Sequence, residues 1–553
     1  MTLPWLVILT CVSALSFCLA LPNEFTFSGF PLGGFFCLVP YFYALKRVRS
    51  RRQGAALGFV FGVLFHASSS WWLANFKDYA VWTLGATSLL YGFFYGFWAI
   101  FLSYAANAGA YSDLSIAPHR ENRSPAWPFL AALVWTIMEW QKSNGYLAFP
   151  WGLLPYTVQS APVLIQVADT TGVYGLSFLL ALCNAVLAEL VLVIQENRTN
   201  PKNHARKESC TPWFARGGLR SLFPGLAAVV LLLGWTLGYG VRRLEHPAPV
   251  LRKIPLVLVQ HNIDQYRNDG EALHRAVNLS LKGTVALMAQ GSVPAMIVWS
   301  ETLLTMPYRG NRLFPAHPAV PFLEQSGIPV LTGAPLLPAA ESDSGPEDTN
   351  PQEIYNGVIL VRRGRISASY AKRQLIPFAE IIPFASHEWM RNLMERFAGF
   401  SSGWTAGKEA VVMEIPGLRF GTPICFEDAF AGICRDFIRG GAELLINLTN
   451  DSWSQSVSAE VQHLAAARFR TVENRMTLVR STNSGCTVVI DAEGRTRASL
   501  PLFTADYLAL DVPLQSGGPT TYFLLGDWFP LLCAILFAAQ IIRHMLIDRA
   551  GCK

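Results

Sequence analysis

The sequence predicts a two-part protein, a multi-span α-helical membrane domain joined to an α/β extracytoplasmic domain, and three observations predict it. Of 553 residues, 52% are hydrophobic and only 15% are charged, whereas a soluble domain carries about 25% charged residues. Apolar runs near the ~20 residues a helix needs to cross the hydrocarbon core recur up to Val241, are absent from Ile254 to Val512, and return once near the end. From Ile254 to Val512, turn residues, charges and short β-type runs alternate with amphipathic helical stretches. These features exclude a disordered chain and argue against an ordinary cytosolic enzyme. Ten cysteines are too few for a disulfide scaffold.

Taken in order, the apolar runs are Leu3 to Leu21, Phe25 to Leu45, Gly54 to Leu73, Val81 to Ala105, Trp127 to Trp140, Val173 to Ile194 and Leu222 to Val241, with an eighth at Trp528 to Leu546. The first lacks a basic segment ahead of it and a second follows almost at once, so it reads as an uncleaved span rather than a signal peptide. The expected organisation is therefore a membrane domain over 1–245 with seven helices, an aqueous domain over 250–515, and a C-terminal helix with a short tail over 520–553.

Cationic loops are retained on the cytoplasmic side of a membrane. Lys46, Arg47, Arg49, Arg51 and Arg52 crowd the second loop, Arg120 and Arg123 lie in the fourth, and Arg198, Lys202, Arg206, Lys207, Arg216 and Arg220 fill the sixth. With eight spans, all three loops share one side. Both termini are then cytoplasmic and the 250–515 domain extracytoplasmic. The net charge of +6 is on this reading a matter of topology, and no basic stripe interleaved with aromatics points to nucleic acid.

Within the aqueous domain, strands are expected at Ile254 to Gln260, Ala295 to Trp299, Ile328 to Thr332, Gly357 to Arg362, Leu418 to Ile424, Leu444 to Leu448 and Cys486 to Asp491, and helices at Glu271 to Ala289 and Ala459 to Glu473. Three polar residues sit where strands end, from which a rigid scaffold presents catalytic groups. Cys425 ends a strand in Gly421-Thr422-Pro423-Ile424-Cys425. If a helix starts just after it, amide groups would favour a thiolate and the Phe426 N–H would face an oxyanion; a small buried core residue is the other reading. Glu301 closes the apolar run Ala295-Met296-Ile297-Val298-Trp299-Ser300 and reads either as a base for a thiol or as a surface carboxylate. Lys372 precedes an apolar turn carrying Glu380, which is placed to hold its ammonium.

Glutamate, lysine and cysteine in that order, with these flanks, resemble the nitrilase or carbon-nitrogen hydrolase superfamily. The resemblance spans most of Ile254 to Val512. It includes Gln260-His261-Asn262, Tyr355-Asn356-Gly357, Asn447-Leu448-Thr449-Asn450-Asp451-Ser452-Trp453, Gln462-His463 and Arg480-Ser481-Thr482-Asn483-Ser484-Gly485. With spans on both sides, the chain looks like that superfamily's membrane-embedded branch, the bacterial apolipoprotein N-acyltransferases. Pro150-Trp151-Gly152-Leu153-Leu154-Pro155-Tyr156 and Asp169-Thr170-Thr171-Gly172-Val173-Tyr174-Gly175 look like the membrane-domain signatures of this family. One departure is Phe426, where the family often has tyrosine.

The resemblance implies an αββα sandwich in which Glu301, Lys372 and Cys425 are base, oxyanion-binding cation and nucleophile. It also implies a phospholipid acyl donor, a diacylglyceryl-modified apolipoprotein acceptor, a thioester acyl-enzyme, no metal or other cofactor, and residence in the bacterial inner membrane. Glu380 would orient Lys372, Glu427 would support the nucleophile turn, and Trp299 would wall the acyl pocket. Phe384 and Trp404, in the apolar stretches Ile381 to Phe384 and Phe397 to Trp404, the latter bearing glycines, read as lids that dip into the bilayer. Asn447, Asn450 and Asp451 read as turn chemistry, and His463 is given no catalytic part. Cys434 and Cys486 are open to pairing in an oxidising compartment, and a monomer is expected. A membrane-anchored amidase and a catalytically dead binding module on a transporter or receptor are the rival readings.

Overall fold

A computed structural model describes residues 2–76, 80–107, 125–199, 217–264, 270–310, 318–338, 353–377, 379–381, 387–389, 392, 396 and 403–551. The chain folds as two compact units. One comprises Met1–Trp71, Leu84–Glu245 and Leu525–Lys553, and the other Trp72–Thr83 and His246–Leu524.

The first unit is helical. Its elements are α1 (Leu3–Ala20), α2 (Val39–Lys46), α3 (Arg51–Ser69), α4 (Thr87–Asn107), α5 (Trp127–Lys142), the short α6 (Pro162–Ile165) and α7 (Ala168–Thr171), α8 (Tyr174–Thr199) and α9 (Gly217–Glu245). Among the described residues, Leu3–Ala20, Val81–Ala106, Tyr174–Gln195, Leu222–Glu245 and Trp528–Leu546 are long and apolar enough to cross a membrane. The expected span over Phe25 to Leu45 is not one continuous helix. After α1 the chain turns back at Gly29, where Phe30 N–H donates to Ala20 O at 2.9 Å, makes a 3-10 turn at Pro31–Phe35, and is α-helical only over α2. Pro31 and Pro40 supply no N–H to an i→i−4 ladder, so a single helix does not run through this stretch.

Small residues set how closely α3 and α4 approach. A Cβ added at Gly58 or Gly62 would lie 2.5 or 2.4 Å from the carbonyl oxygens of Tyr95 and Tyr91. Without hydrophobic driving force in lipid, such close backbone approach is what holds helices together. The two signature segments are tied down by buried polar groups. Glu139 accepts from Leu154 N–H at 2.6 Å and from Ser177 Oγ at 2.6 Å, while Lys142 donates to Trp151 O at 2.6 Å. Asp169 accepts from Tyr239 OH and pairs with Arg243 at 2.7 Å.

The second unit contains two six-stranded mixed sheets. Its strands are β1 (Val250–Gln260), β2 (Met296–Val298), β3 (Val330–Leu336), β4 (Tyr355–Arg362), β5 (Arg365–Ala371), β6 (Val412–Ile415), β7 (Leu418–Gly421), β8 (Leu444–Thr449), β9 (Leu478–Thr482), β10 (Val488–Ile490), β11 (Thr496–Ser499) and β12 (Asp506–Gln515). One sheet runs β12-β1-β2-β3-β4-β5 and the other β11-β10-β9-β8-β7-β6. Each has two parallel pairings in its middle, β1-β2-β3 and β7-β8-β9, flanked by antiparallel strands. The second sheet is thus a topological copy of the first. Helices α10 (Glu271–Ala289) and α11 (Val320–Gln325) cover the first sheet, and α12 (Ala431–Arg439) and α13 (Val457–Asn474) the second. Ser481 Oγ donates to Val298 O at 3.0 Å and Ile263 N–H to Asn483 Oδ1 at 2.9 Å, which pins sheet to sheet in an αββα sandwich.

Trp299 is corrected here. It is fully buried in the apolar core under α10, stacked on Phe322 at 5.6 Å with its indole N–H on Ser280 Oγ at 2.8 Å, and walls no pocket. Cys434 and Cys486 are free, buried thiols.

Candidate active site

Parallel strands bring their C-terminal ends together, and open sheets of this kind present ligand sites there. Glu301 follows β2, Lys372 directly follows β5, Cys425 lies four residues beyond β7, and Asn450 and Asp451 follow β8. Four sequence-distant segments therefore deliver polar side chains to one place.

Lys372 is fully buried and its Nζ lies 2.8 Å from Glu380 Oε1 and 3.5 Å from Glu301 Oε1. Asn356 Nδ2 donates to both carboxylates, at 2.8 Å to Glu301 and 3.1 Å to Glu380. The second oxygen of Glu301 accepts from Asn450 N–H at 2.9 Å, and that of Glu380 from Ile376 N–H at 2.9 Å. Burial works against the ammonium, yet Glu380 and Glu301 outweigh it and hold the Lys372 pKa well above its ordinary value. Burial also raises the Glu301 carboxyl, opposed by Lys372.

Cys425 is in the left-handed region, φ +48°, which a non-glycine residue adopts only where its surroundings hold it there. Three contacts do so. Asn447 Nδ2 donates to the carbonyls of Pro423 at 3.0 Å and Cys425 at 2.9 Å. His463 Nε2 lies 3.2 Å from the same Cys425 carbonyl. Glu427, fully buried, accepts from Ile424 N–H at 2.8 Å, from Arg373 N–H at 2.6 Å and from Tyr370 OH at 2.9 Å, binding the nucleophile turn to the chain beyond Lys372.

The expected helix after Cys425 is a single 3-10 turn, Cys425–Ala429, and α12 starts only at Ala431. The thiol is accordingly not stabilised as a thiolate. Burial first, then the charges of Glu301 and Asp451, push its pKa well above the ordinary value, and Lys372 offsets them only in part.

Phe426, whose backbone N–H was expected at an oxyanion, is buried and packs edge-on against Phe430 at 4.9 Å. Trp404 is partly buried, with its N–H on Glu380 O at 2.9 Å, while Phe384 lies outside the described residues. Residues that sequence reasoning passed over stand behind the nucleophile. Cys425 Sγ donates to Asp451 Oδ1 at 3.7 Å, Asp451 Oδ2 lies 2.7 Å from His463 Nδ1, and Arg480 Nη1 lies 2.5 Å from Asp428 Oδ2. The motif Gln462-His463 was legible, but nothing in a single sequence ties a helix residue to a strand end 38 positions away.

Two family models match the chain. One, described as the apolipoprotein N-acyltransferase N-terminal domain, matches residues 3–186, and the other, described as carbon-nitrogen hydrolase, matches residues 328–522. Among curated relatives, "Apolipoprotein N-acyltransferase 2" of Treponema pallidum (strain Nichols) is 36% identical, covering 98% of this chain and 95% of its own. The protein of the same name in Treponema denticola is 34% identical over 96% of each chain. That of Borreliella burgdorferi is 27% identical over 96% of this chain and 94% of its own. Among solved structures, an amidase from Nesterenkonia sp. AN1 matches with 17% identity, covering 48% of this chain and 92% of its own, at a TM-score of 0.32. Saccharomyces cerevisiae Nit3 matches with 18% identity, covering 48% and 93%, at 0.33.

Proposed function

Because the chain belongs to the apolipoprotein N-acyltransferase family, we propose that it moves a fatty acyl chain from a membrane phospholipid to the α-amino group of an S-diacylglyceryl-cysteine at a lipoprotein N-terminus. The observation that carries the chemical part is the buried Glu301–Lys372–Glu380 cluster next to a neutral thiol held in a strained turn.

Glu301 removes the Cys425 proton as sulfur attacks the ester carbonyl. Lys372 and the Phe426 N–H meet the tetrahedral oxyanion, a type of stabilisation whose removal costs about 10²–10³ in rate. Collapse releases a lysophospholipid, which takes its proton from Glu301, and leaves a thioester. The amine then attacks that thioester, so two half-reactions share one nucleophile. Glu380 keeps Lys372 charged and in place. This chemistry requires no metal and no nucleotide.

The setting we propose is the bacterial inner membrane. A membrane domain occupies 1–245 and a C-terminal span with a short tail 520–553. The catalytic domain at 250–515 faces the extracytoplasmic side and both termini face the cytoplasm, in a monomer. The basic loops support that orientation. Phe384 and Trp404 act at the lipid entrance.

Intact mass tests the chemistry, on wild type against Cys425→Ala incubated with phospholipid and no acceptor. A fatty-acyl increment on the wild type alone, discharged by hydroxylamine and transferred to a diacylglyceryl-cysteine peptide, is expected. No adduct, with ammonia released from small amides, would instead identify an amidase.

A further inference from the structure

We propose that Asp451 is the docking group for the α-ammonium of the acceptor once the thioester has formed, and so selects amine over water in the second half-reaction. The proposal rests on the acyltransferase reading above and adds the group that recognises the second substrate.

A carboxylate that is to bind a cation beside the sulfur must be ionised, rigid and short of a donor at the right moment. Asp451 is ionised because His463, then Arg480, holds its carboxyl below the usual range against the effect of burial. It is rigid because Oδ2 is gripped by His463 Nδ1 at 2.7 Å and lies 3.8 Å from Arg480 Nη2. His463 in turn faces acceptors from both ring nitrogens, Asp451 on one side and Asp428 Oδ1, at 2.9 Å, on the other. A ring placed this way donates twice, which only the imidazolium does. Imidazolium and Arg480 thus balance Asp428 and Asp451. Glu460, buried beside Asp451 and hydrogen-bonded to it, is pushed well above the ordinary carboxylate range by burial and by Asp451, so it adds no charge.

The remaining oxygen, Asp451 Oδ1, accepts from the Cys425 thiol at 3.7 Å. Acylation replaces that S–H with an S–C bond, and the donor disappears. Both oxygens of Glu301 stay engaged, by Asn356, Lys372 and Asn450. The acyl-enzyme therefore has one ionised carboxylate oxygen beside the reacting sulfur whose hydrogen bond has been removed by the first half-reaction itself. An ammonium supplies a charged donor there; water supplies none. Asp451 is also as accessible as the groups it would serve, 5% exposed against 5% for Glu301 and 4% for Cys425.

On becoming an amide nitrogen the ammonium gives up two protons. One leaves through Glu301 to solvent and frees the lone pair that bonds to the acyl carbon. The other ends on the Cys425 sulfur as the C–S bond breaks, restoring the thiol and its hydrogen bond to Asp451.

The test separates the two half-reactions. Acyl-enzyme is formed on wild type and on Asp451→Asn in detergent, then discharged either with a diacylglyceryl-cysteine peptide or with hydroxylamine, which is uncharged at neutral pH. The expected result is that the ratio of peptide to hydroxylamine discharge falls at least tenfold in the variant, with a raised KM for the peptide. An unchanged ratio, including one in which both discharges slow equally, overturns the proposal. Absence of any acyl-enzyme on the wild type would instead remove the acyltransferase reading. Should Asp451→Asn not fold, competition on the wild type decides. A peptide with a dimethylated α-amine, still a cation with one N–H, must compete at least tenfold better than its neutral N-acetylated counterpart, and equal competition overturns the proposal.

Discussion

Lys372 has no exposure, and the charge it carries depends on two carboxylates at 2.8 and 3.5 Å. Removing the nearer one deletes a charge-assisted hydrogen bond worth about 1.5–3 kcal/mol. Glu380→Gln is therefore expected to slow acyl-enzyme formation about 10- to 150-fold while leaving the protein folded, measured by single-turnover mass spectrometry; an unchanged rate would mean that Glu301 alone holds the lysine. His463 makes a pH prediction. Asp451 and Asp428 raise its pKa from an unfolded value of about 6.5 to about 9, against burial and Arg480. The native state holds the proton more tightly, so the contribution is complete below about pH 6.5 and is lost as pH rises toward 9. It amounts to about 3 kcal/mol at most, by 1.36 kcal/mol per unit. Melting temperature in detergent should drop between pH 6.5 and 9, and His463→Gln should be less stable at pH 6.5 with a flatter profile. A parallel drop in both proteins would exclude His463 as its source. Glu301 and Cys425 were visible from their strand-end positions in sequence. Asp451 was visible too, but its role was not, because its partners lie on a helix and on a different strand.

Among elements, the strand ends decide how far apart the catalytic groups sit. Gly333 in β3 runs so close to the loop after β2 that a Cβ there would lie 2.3 Å from Thr302 N and 2.6 Å from Glu301 Cα. Backbone cannot yield as a flexible side chain does, so Gly333→Ala should shift Glu301 and overpack the site, at a cost of about 1–3 kcal/mol. The expected outcome is a loss of acyl-enzyme formation larger than the stability loss accounts for; a fall in melting temperature with a normal rate per folded molecule would refute it. Seven of the twelve strands were anticipated, all with strong β-branched or apolar runs. Val412–Ile415, Leu478–Thr482, Arg365–Ala371, Thr496–Ser499 and Asp506–Gln515 were not: the first two are short runs that pair with β7 and with β8 and β10, and the other three, little buried for most of their length, are strands by pairing with β4, β10 and β1. In the helical unit, Phe25 to Leu45 is apolar enough to suggest a span, but its prolines divide it into a 3-10 turn and a short α-helix.

At the scale of the whole chain, the three basic loops predict which side of the membrane each part occupies. Val293 is 67% exposed in the catalytic domain and Arg52 is exposed at the start of α3. A membrane-impermeant maleimide should label Val293→Cys in spheroplasts and should reach Arg52→Cys only after lysis. The reverse pattern would invert the orientation. The repeated order of two parallel pairings flanked by antiparallel strands also has a functional consequence. It places the ends of β2, β5, β7 and β8 together, so residues from Glu301 to Asp451 form one site although 150 positions separate the first from the last.

What the sequence determined by itself is the division between apolar helical chain and α/β chain and the placement of polar candidate side chains at strand ends. Both follow from local properties, since hydropathy over ~20 residues and a polar residue closing an apolar strand need no knowledge of distant neighbours. Tertiary structure decided which polar groups meet. It put Trp299 in the core rather than at a pocket, pushed the pKa of the buried Cys425 thiol up, and set His463 and Arg480 behind Asp451. Each of these turns on desolvation and on charges a few ångströms away but far apart in sequence, and burial strengthens such interactions only after the chain has folded.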